Sequence, residues 1–209
     1  MKIALFGATG NAGQRILKEL LTRHHQVTAI VRNPPKVTAQ PGLTILSGDL
    51  SDASKIADAV RGSNAVISAY GPGLHAPNDL IGATERLVSG VKLSGVARLL
   101  TVGGAGTLEV SPGVPLVDSP LLTPEWRPIA VAHCEALKIL RTSDLDWTCL
   151  APAAFFEPGP RTGVFRRGTD NLIANEKGES RISMEDFAIA LVDELENHAH
   201  PRQRFSVGY

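Results

Sequence analysis

Two patterns of apolar residues alternate along this chain. Short unbroken runs, Ile3-Ala-Leu-Phe6, Gln26-Val-Thr-Ala-Ile-Val31, Leu43-Thr-Ile-Leu46, Ala65-Val-Ile-Ser-Ala69, Arg98-Leu-Leu-Thr-Val102 and Trp147-Thr-Cys-Leu150, have little polar alternation. They suit strands buried on both faces of a parallel sheet. Between them the period changes to that of one helical face: Gly13, Ile16, Leu17, Leu20 and Leu21, then Ala53, Ile56, Ala57 and Val60, then Leu80, Ile81, Thr84, Leu87, Val88 and Val91. A fourth helix is expected over 129–141. A fifth, begun by the cap-like Ser183, carries Met184, Phe187, Ala188, Leu191, Val192 and Leu195 on one side. A short β segment near 163–167 and a last strand at 204–207 complete the set. Such alternation predicts an α/β fold, a doubly wound parallel sheet with helices on both faces, in one domain spanning 1–209. Ligands of such sheets lie outside the carboxyl ends of the strands, where strand order reverses.

The first strand runs directly into Gly7-Ala-Thr-Gly-Asn-Ala-Gly13. Gly7 lets the chain turn off the strand, Gly10 leaves room for a ligand against the backbone, and Gly13 lets helix and strand pack closely. The helix then aims its free N–H groups at an anion, and a pyrophosphate is the anion expected. Arg32 ends the second strand, about where a carboxylate would bind a ribose 2′-hydroxyl. A cation there suits a 2′-phosphate instead, and a charged hydrogen bond to it is worth roughly a 10- to 150-fold preference for NADP(H) over NAD(H). Asp49, in Gly48-Asp-Leu50, can accept from the adenine amino group, although Asp49 and Ser51 are also ordinary helix caps.

The spacing G-x-x-G-x-x-G resembles that of the extended and atypical short-chain dehydrogenase/reductases. With Val31-Arg-Asn-Pro34, Gly48-Asp-Leu50, Asp146-Trp-Thr-Cys-Leu-Ala-Pro-Ala153 and Arg181-Ile-Ser-Met-Glu-Asp-Phe187, nearly the whole chain is similar to the small single-domain NAD(P)H:flavin reductases, which are NmrA-like or flavin-reductase-like. The resemblance implies a Rossmann-type fold. Cofactor contacts are expected from Gly7, Thr9, Gly10, Asn11, Ala12, Gly13, Arg32, Asp49, Leu50, Ala69, Gly71 and Thr101, and Tyr70 is as open to a packing role as to ligand contact. The resemblance places Pro152, Ala153 and Phe155 at the nicotinamide carboxamide, with Phe155 and Phe156 as pocket walls.

Residues 103–127 interrupt the alternation with Gly, Pro and scattered Leu and Val, and are expected to form a flap over a substrate pocket. With 21 basic and 21 acidic residues the net charge is zero, so no global field draws nucleic acid or an anionic membrane. A small molecule is the expected partner, and the protein is expected to be a monomer or small homo-oligomer. Cys134 and Cys149 read as buried small apolar groups in a reducing, cytoplasmic compartment. No metal site is expected: His198 and His200 lack a third ligand at metal spacing.

Short-chain dehydrogenases commonly use Tyr-x-x-x-Lys, with tyrosine as proton donor to a carbonyl oxygen. Here the tyrosines are Tyr70, four residues before Leu74, and Tyr209, the final residue; Lys138 is preceded four positions earlier by Cys134. Ketone reduction is therefore disfavoured. A flavin (FMN or FAD) or quinone needs less help, because the hydride leaves a delocalised anion. His133 is the candidate catalytic group on the pocket side of its helix, with a hydrogen-bonded core histidine as the alternative role. Thr107 and Ser111 are further candidates in the flap. The reading is an NADPH-dependent oxidoreductase with flavin as substrate rather than prosthetic group. A non-catalytic NADP(H)-sensing regulator of the NmrA-like kind is the alternative.

Overall fold

The computed structural model describes residues 1–209 apart from the side chain of Lys36. In chain order the elements are β1 (Lys2–Phe6), α1 (Asn11–Thr22), β2 (Gln26–Val31), β3 (Leu43–Ser47), α2 (Ala53–Val60), β4 (Ala65–Ser68), α3 (Asp79–Ser94) and β5 (Arg98–Val102). They continue with β6 (Glu109–Ser111), β7 (Val114–Pro115), α4 (Arg127–Thr142), β8 (Asp146–Pro152), β9 (Phe155–Glu157), β10 (Arg166–Gly168), β11 (Arg181–Ser183), α5 (Met184–Asn197) and β12 (Gln203–Gly208). The main sheet has the order β10-β12-β8-β5-β4-β1-β2-β3, parallel throughout except for β10 on β12. The chain winds outward from β1 to β3 in one direction and from β4 onward in the other. This is the doubly wound Rossmann architecture, with its reversal between β1 and β4.

Burial explains why the strand runs lack polar alternation. Ile3 and Leu5 face a layer made by α1 and α5, whereas Ala4 and Phe6 face α2, α3 and α4. On α1 the stripe Gly13, Ile16, Leu17 and Leu20 is buried, and so is Glu19, whose carboxylate binds Arg23 and Arg161. The α5 stripe is buried as the spacing requires. Among the described residues, no helix is long and apolar enough to cross a membrane.

Several expectations need correction. Residues 103–127 carry more order than a break in the alternation suggests: they form short 3-10 turns at Ala105–Thr107 and Leu116–Asp118 and the β6–β7 hairpin, with Leu108, Leu116 and Val117 buried. Gly106 lies so close to α4 that a Cβ would come within 2.6 Å of the Ala130 Cβ. Neither Asp49 nor Ser51 caps α2; Asp52 does, accepting from the Lys55 N–H. The segment expected at 163–167 is β10, paired antiparallel with β12. Cys149 is buried, but Cys134 is only partly so. Phe156 is partly buried and packs against the core on Phe187 of α5, ring centroids 4.7 Å apart.

Candidate dinucleotide site and its acceptor side

The turn between β1 and α1 permits only glycine at two of its three glycine positions. Gly7 has φ +79°, and a Cβ there would lie 2.6 Å from the Ala69 carbonyl group; a Cβ on Gly13 would lie 1.9 Å from the Gly7 carbonyl oxygen. At Gly10 the situation differs, since the nearest atom to a Cβ would be the Gly7 oxygen at an ordinary 3.4 Å. The fold therefore tolerates a side chain at Gly10, and the space beside it is available to a ligand. Gly10 is also the N-cap of α1; it supplies no side-chain acceptor, and the first turn carries no acidic residue. The free N–H groups at this helix start, with their partial positive charge, are left for an anion.

Next to that helix end opens a cleft of about 330 Å³. It brings together Gly7, Thr9, Arg32, Asp49, Leu50 and Tyr70 of the sequence-predicted set. Asp49 uses one carboxylate oxygen for the Ser51 N–H at 2.9 Å and the Ser51 hydroxyl, which hold its carboxyl below the usual carboxylate range; the nearby Arg32 adds to this. The second oxygen is left for a donor such as an adenine amino group. Sequence reasoning missed Asp79, Ala83 and Arg86, which also line the cleft. Their i, i+4, i+7 spacing on one side of α3 was the signal available. Arg86 is fixed by its Nε, which donates to the Leu50 carbonyl at 2.6 Å.

The remaining predicted residues fall in three places. Asn11, Ala12 and Gly13 form the first turn of α1, and Ala69 backs Gly7. Gly71 stands in open space. Thr101 is not in the cleft; it lines a second cavity of about 20 Å³ between β4, β5, β8 and helices α3 and α4, together with Ser68, Thr84, His133 and Cys149. Tyr70 borders both spaces. Pro152 and Ala153 are buried at the end of β8, whereas Phe155 is 54% exposed with the Arg181 guanidinium 5.5 Å over its ring. Phe155 thus lies at the surface beside β11.

His133 sits where its helical face predicts, on the inner side of α4 over the end of β5. A Cβ on Gly104 would come within 2.7 Å of its ring. The residue is half-buried, and desolvation pushes its pKa down to about 4. It is therefore neutral at pH 7, so it can donate or accept through one ring nitrogen but does not act as an imidazolium acid. The Thr107 hydroxyl is committed to the Gly104 carbonyl at 2.8 Å, and Ser111 is exposed on the hairpin. Burial pushes the Cys134 and Cys149 thiols upward, away from reactivity. Among the described residues no group of His, Cys, Asp and Glu could hold a metal ion.

A glycine turn that admits no side chain at Gly7 or Gly13, an uncapped helix start and a cleft holding Arg32 and Asp49 beyond the carboxyl ends of β2 and β3 define a Rossmann-type dinucleotide-binding protein. The chain belongs to the NAD(P)H-binding family, whose model matches residues 7–198. Three solved structures are similar over its full length, each carrying a putative name. An exported protein from Burkholderia pseudomallei is 45% identical with a TM-score of 0.92, and 100% of that chain is covered. An epimerase from Bacteroides thetaiotaomicron is 39% identical at 0.94, with 96% covered. An NADH-flavin reductase from Streptococcus pneumoniae TIGR4 is 37% identical at 0.89, with 99% covered.

Proposed function

We propose that this chain is an NADPH-dependent oxidoreductase that passes hydride to a free flavin or quinone. The observation that carries the reading is a glycine turn and open helix start beside a cleft holding Arg32 and Asp49, with the neutral imidazole of His133 in the neighbouring cavity. When bound, the cofactor supplies a hydride from its nicotinamide ring. The rest is done by the protein's own residues. The N–H groups of Asn11, Ala12 and Gly13 receive the pyrophosphate, Arg32 meets the 2′-phosphate, and the free oxygen of Asp49 accepts from the adenine. Buried Pro152 and Ala153 at the end of β8 bound the nicotinamide side. His133 orients the acceptor through a neutral N–H or lone pair, and solvent supplies the proton.

The epimerase named among the similar structures has less support here. Tyr209, one of only two tyrosines, uses its hydroxyl on Ser183 and Asp186, and Tyr70 has no lysine four residues on. The two free cysteines fit a reducing compartment, and the cytoplasm remains our proposed location. NADPH oxidation with added FMN, FAD and a water-soluble quinone tests the reading. Turnover with at least one of them is expected, nearly constant between pH 6 and 8 because His133 does not titrate there. Tight NADPH binding with no turnover on any acceptor would point to the NADP(H)-sensing regulator instead.

A further inference from the structure

The small cavity below His133 interrupts an apolar layer with a row of polar groups. Ser68 of β4, Thr101 of β5 and Cys149 of β8 are register neighbours across three parallel strands, on the face covered by α3 and α4. The apolar residues Ile30 and Phe6 continue the same row on β2 and β1. Thr101 Oγ1 is fully buried and has no strong hydrogen-bond partner, only a weak interaction with the thiol of its register neighbour Cys149. The Ser68 hydroxyl accepts a long 3.4 Å bond from the Tyr70 N–H, which leaves its own proton to give. Thr84 donates to the Leu80 carbonyl at 2.7 Å and keeps lone pairs free. The half-buried His133, from the facing helix, also lines the cavity.

A fully buried hydroxyl that lacks a strong partner is rare in folded proteins, and an ordered water is the common explanation. The cavity, about 20 Å³, exceeds the roughly 10–15 Å³ one water needs, and its walls offer the two to four polar contacts such a water makes. A dry cavity would require apolar walls, as engineered empty cavities have. We propose that one ordered water occupies this cavity, bound by Thr101 and Ser68, and that it hydrogen-bonds the cavity-side nitrogen of His133 and so fixes the imidazole tautomer. Thr101 is then a positioning residue, acting on His133 through the water. The effect on turnover rests on the reductase reading, whereas the water and the tautomer do not.

A high-resolution crystal structure of the wild-type protein and ¹⁵N NMR of the His133 ring test this without any acceptor. The expected result is density for one water within hydrogen-bond distance of Thr101 Oγ1 and the ring, and one dominant tautomer. Thr101→Val should shift the tautomer ratio at least about fivefold, the worth of one neutral hydrogen bond, and Thr101→Ser should restore it. Thr101→Val should also melt no higher than wild type. An empty cavity in the wild-type crystal would overturn the proposal, as would a tautomer ratio unchanged in Thr101→Val. So would a higher melting temperature for that variant, the sign of an unpaired hydroxyl removed from a dry core.

Discussion

Two helices of this molecule begin in opposite ways. At α5 the Ser183 hydroxyl accepts from the Asp186 N–H at 3.0 Å, and Glu185 and Asp186 place negative charge in the first turn. Asp186 then collects the Thr162 and Gly163 N–H groups, both at 2.8 Å, and the Tyr209 hydroxyl. Burial works to raise its pKa, but these bonds hold the carboxyl below the usual carboxylate range. At α1 none of this exists: glycine caps the helix, and no acidic residue follows. One helix end is closed by its own side chains, and the other is left open beside a cleft. A glycine start without a side-chain cap costs stability, about a few tenths of a kcal/mol against a good cap. That cost, with the cleft beside it, is the mark of a site kept for an anion.

Changes at α1 should break the contrast most. Gly13→Val would drive a side chain into the Gly7 carbonyl, so a loss of roughly 3 kcal/mol or more in urea unfolding is expected, with no NADPH binding by calorimetry. Gly10→Asp is sharper because it turns α1 into a helix like α5. Its backbone, φ −77° and ψ 166°, already suits an N-cap aspartate. The apo protein should melt at or above wild type while NADPH affinity falls by about a hundredfold, as a fixed carboxylate replaces and repels the phosphates. Retained affinity in Gly10→Asp would remove α1 from the site.

Smaller effects follow further out. Arg32→Glu should reverse cofactor preference, from NADPH bound at least about tenfold tighter than NADH to the opposite order. Equal affinities in the wild type would take Arg32 out of contact with the 2′-phosphate. Ser183→Ala should cost only about 1 kcal/mol of stability and leave NADPH affinity unchanged, because the donors it exposes belong to the closed helix.

The same contrast explains what the sequence could reveal. Gly7, Gly10 and Gly13 were legible because the turn is local, and strands β1, β2, β4 and β5 because burial on both faces erases polar alternation over four to six adjacent residues; β3, at the sheet edge and exposed or half-exposed along its length, was legible from its apolar run alone. Strands β9 and β11 were not, since each is three residues long and Phe155 finds its partner Arg181 only through the fold. The hairpin within 103–127 is shorter still. Asp79 and Arg86 were overlooked because only the buried stripe of α3 was followed, whereas the cleft is lined by its polar flank. Asp52 took the cap assigned to Asp49 or Ser51 because three polar residues within four positions offer the helix several starts, and tertiary packing chooses among them. His133 was placed on the correct face by periodicity, but its neutrality depends on enclosure by Gly104 and neighbouring elements that periodicity does not show.

The most direct test is an NMR titration of the backbone amides with NADPH. The largest shifts are expected at Asn11, Ala12 and Gly13, with Glu185 and Asp186 at the start of α5 unmoved. Shifts centred on α5, or an α1 first turn that stays silent at saturating NADPH, would contradict the claim that the open helix end is the cofactor's phosphate site.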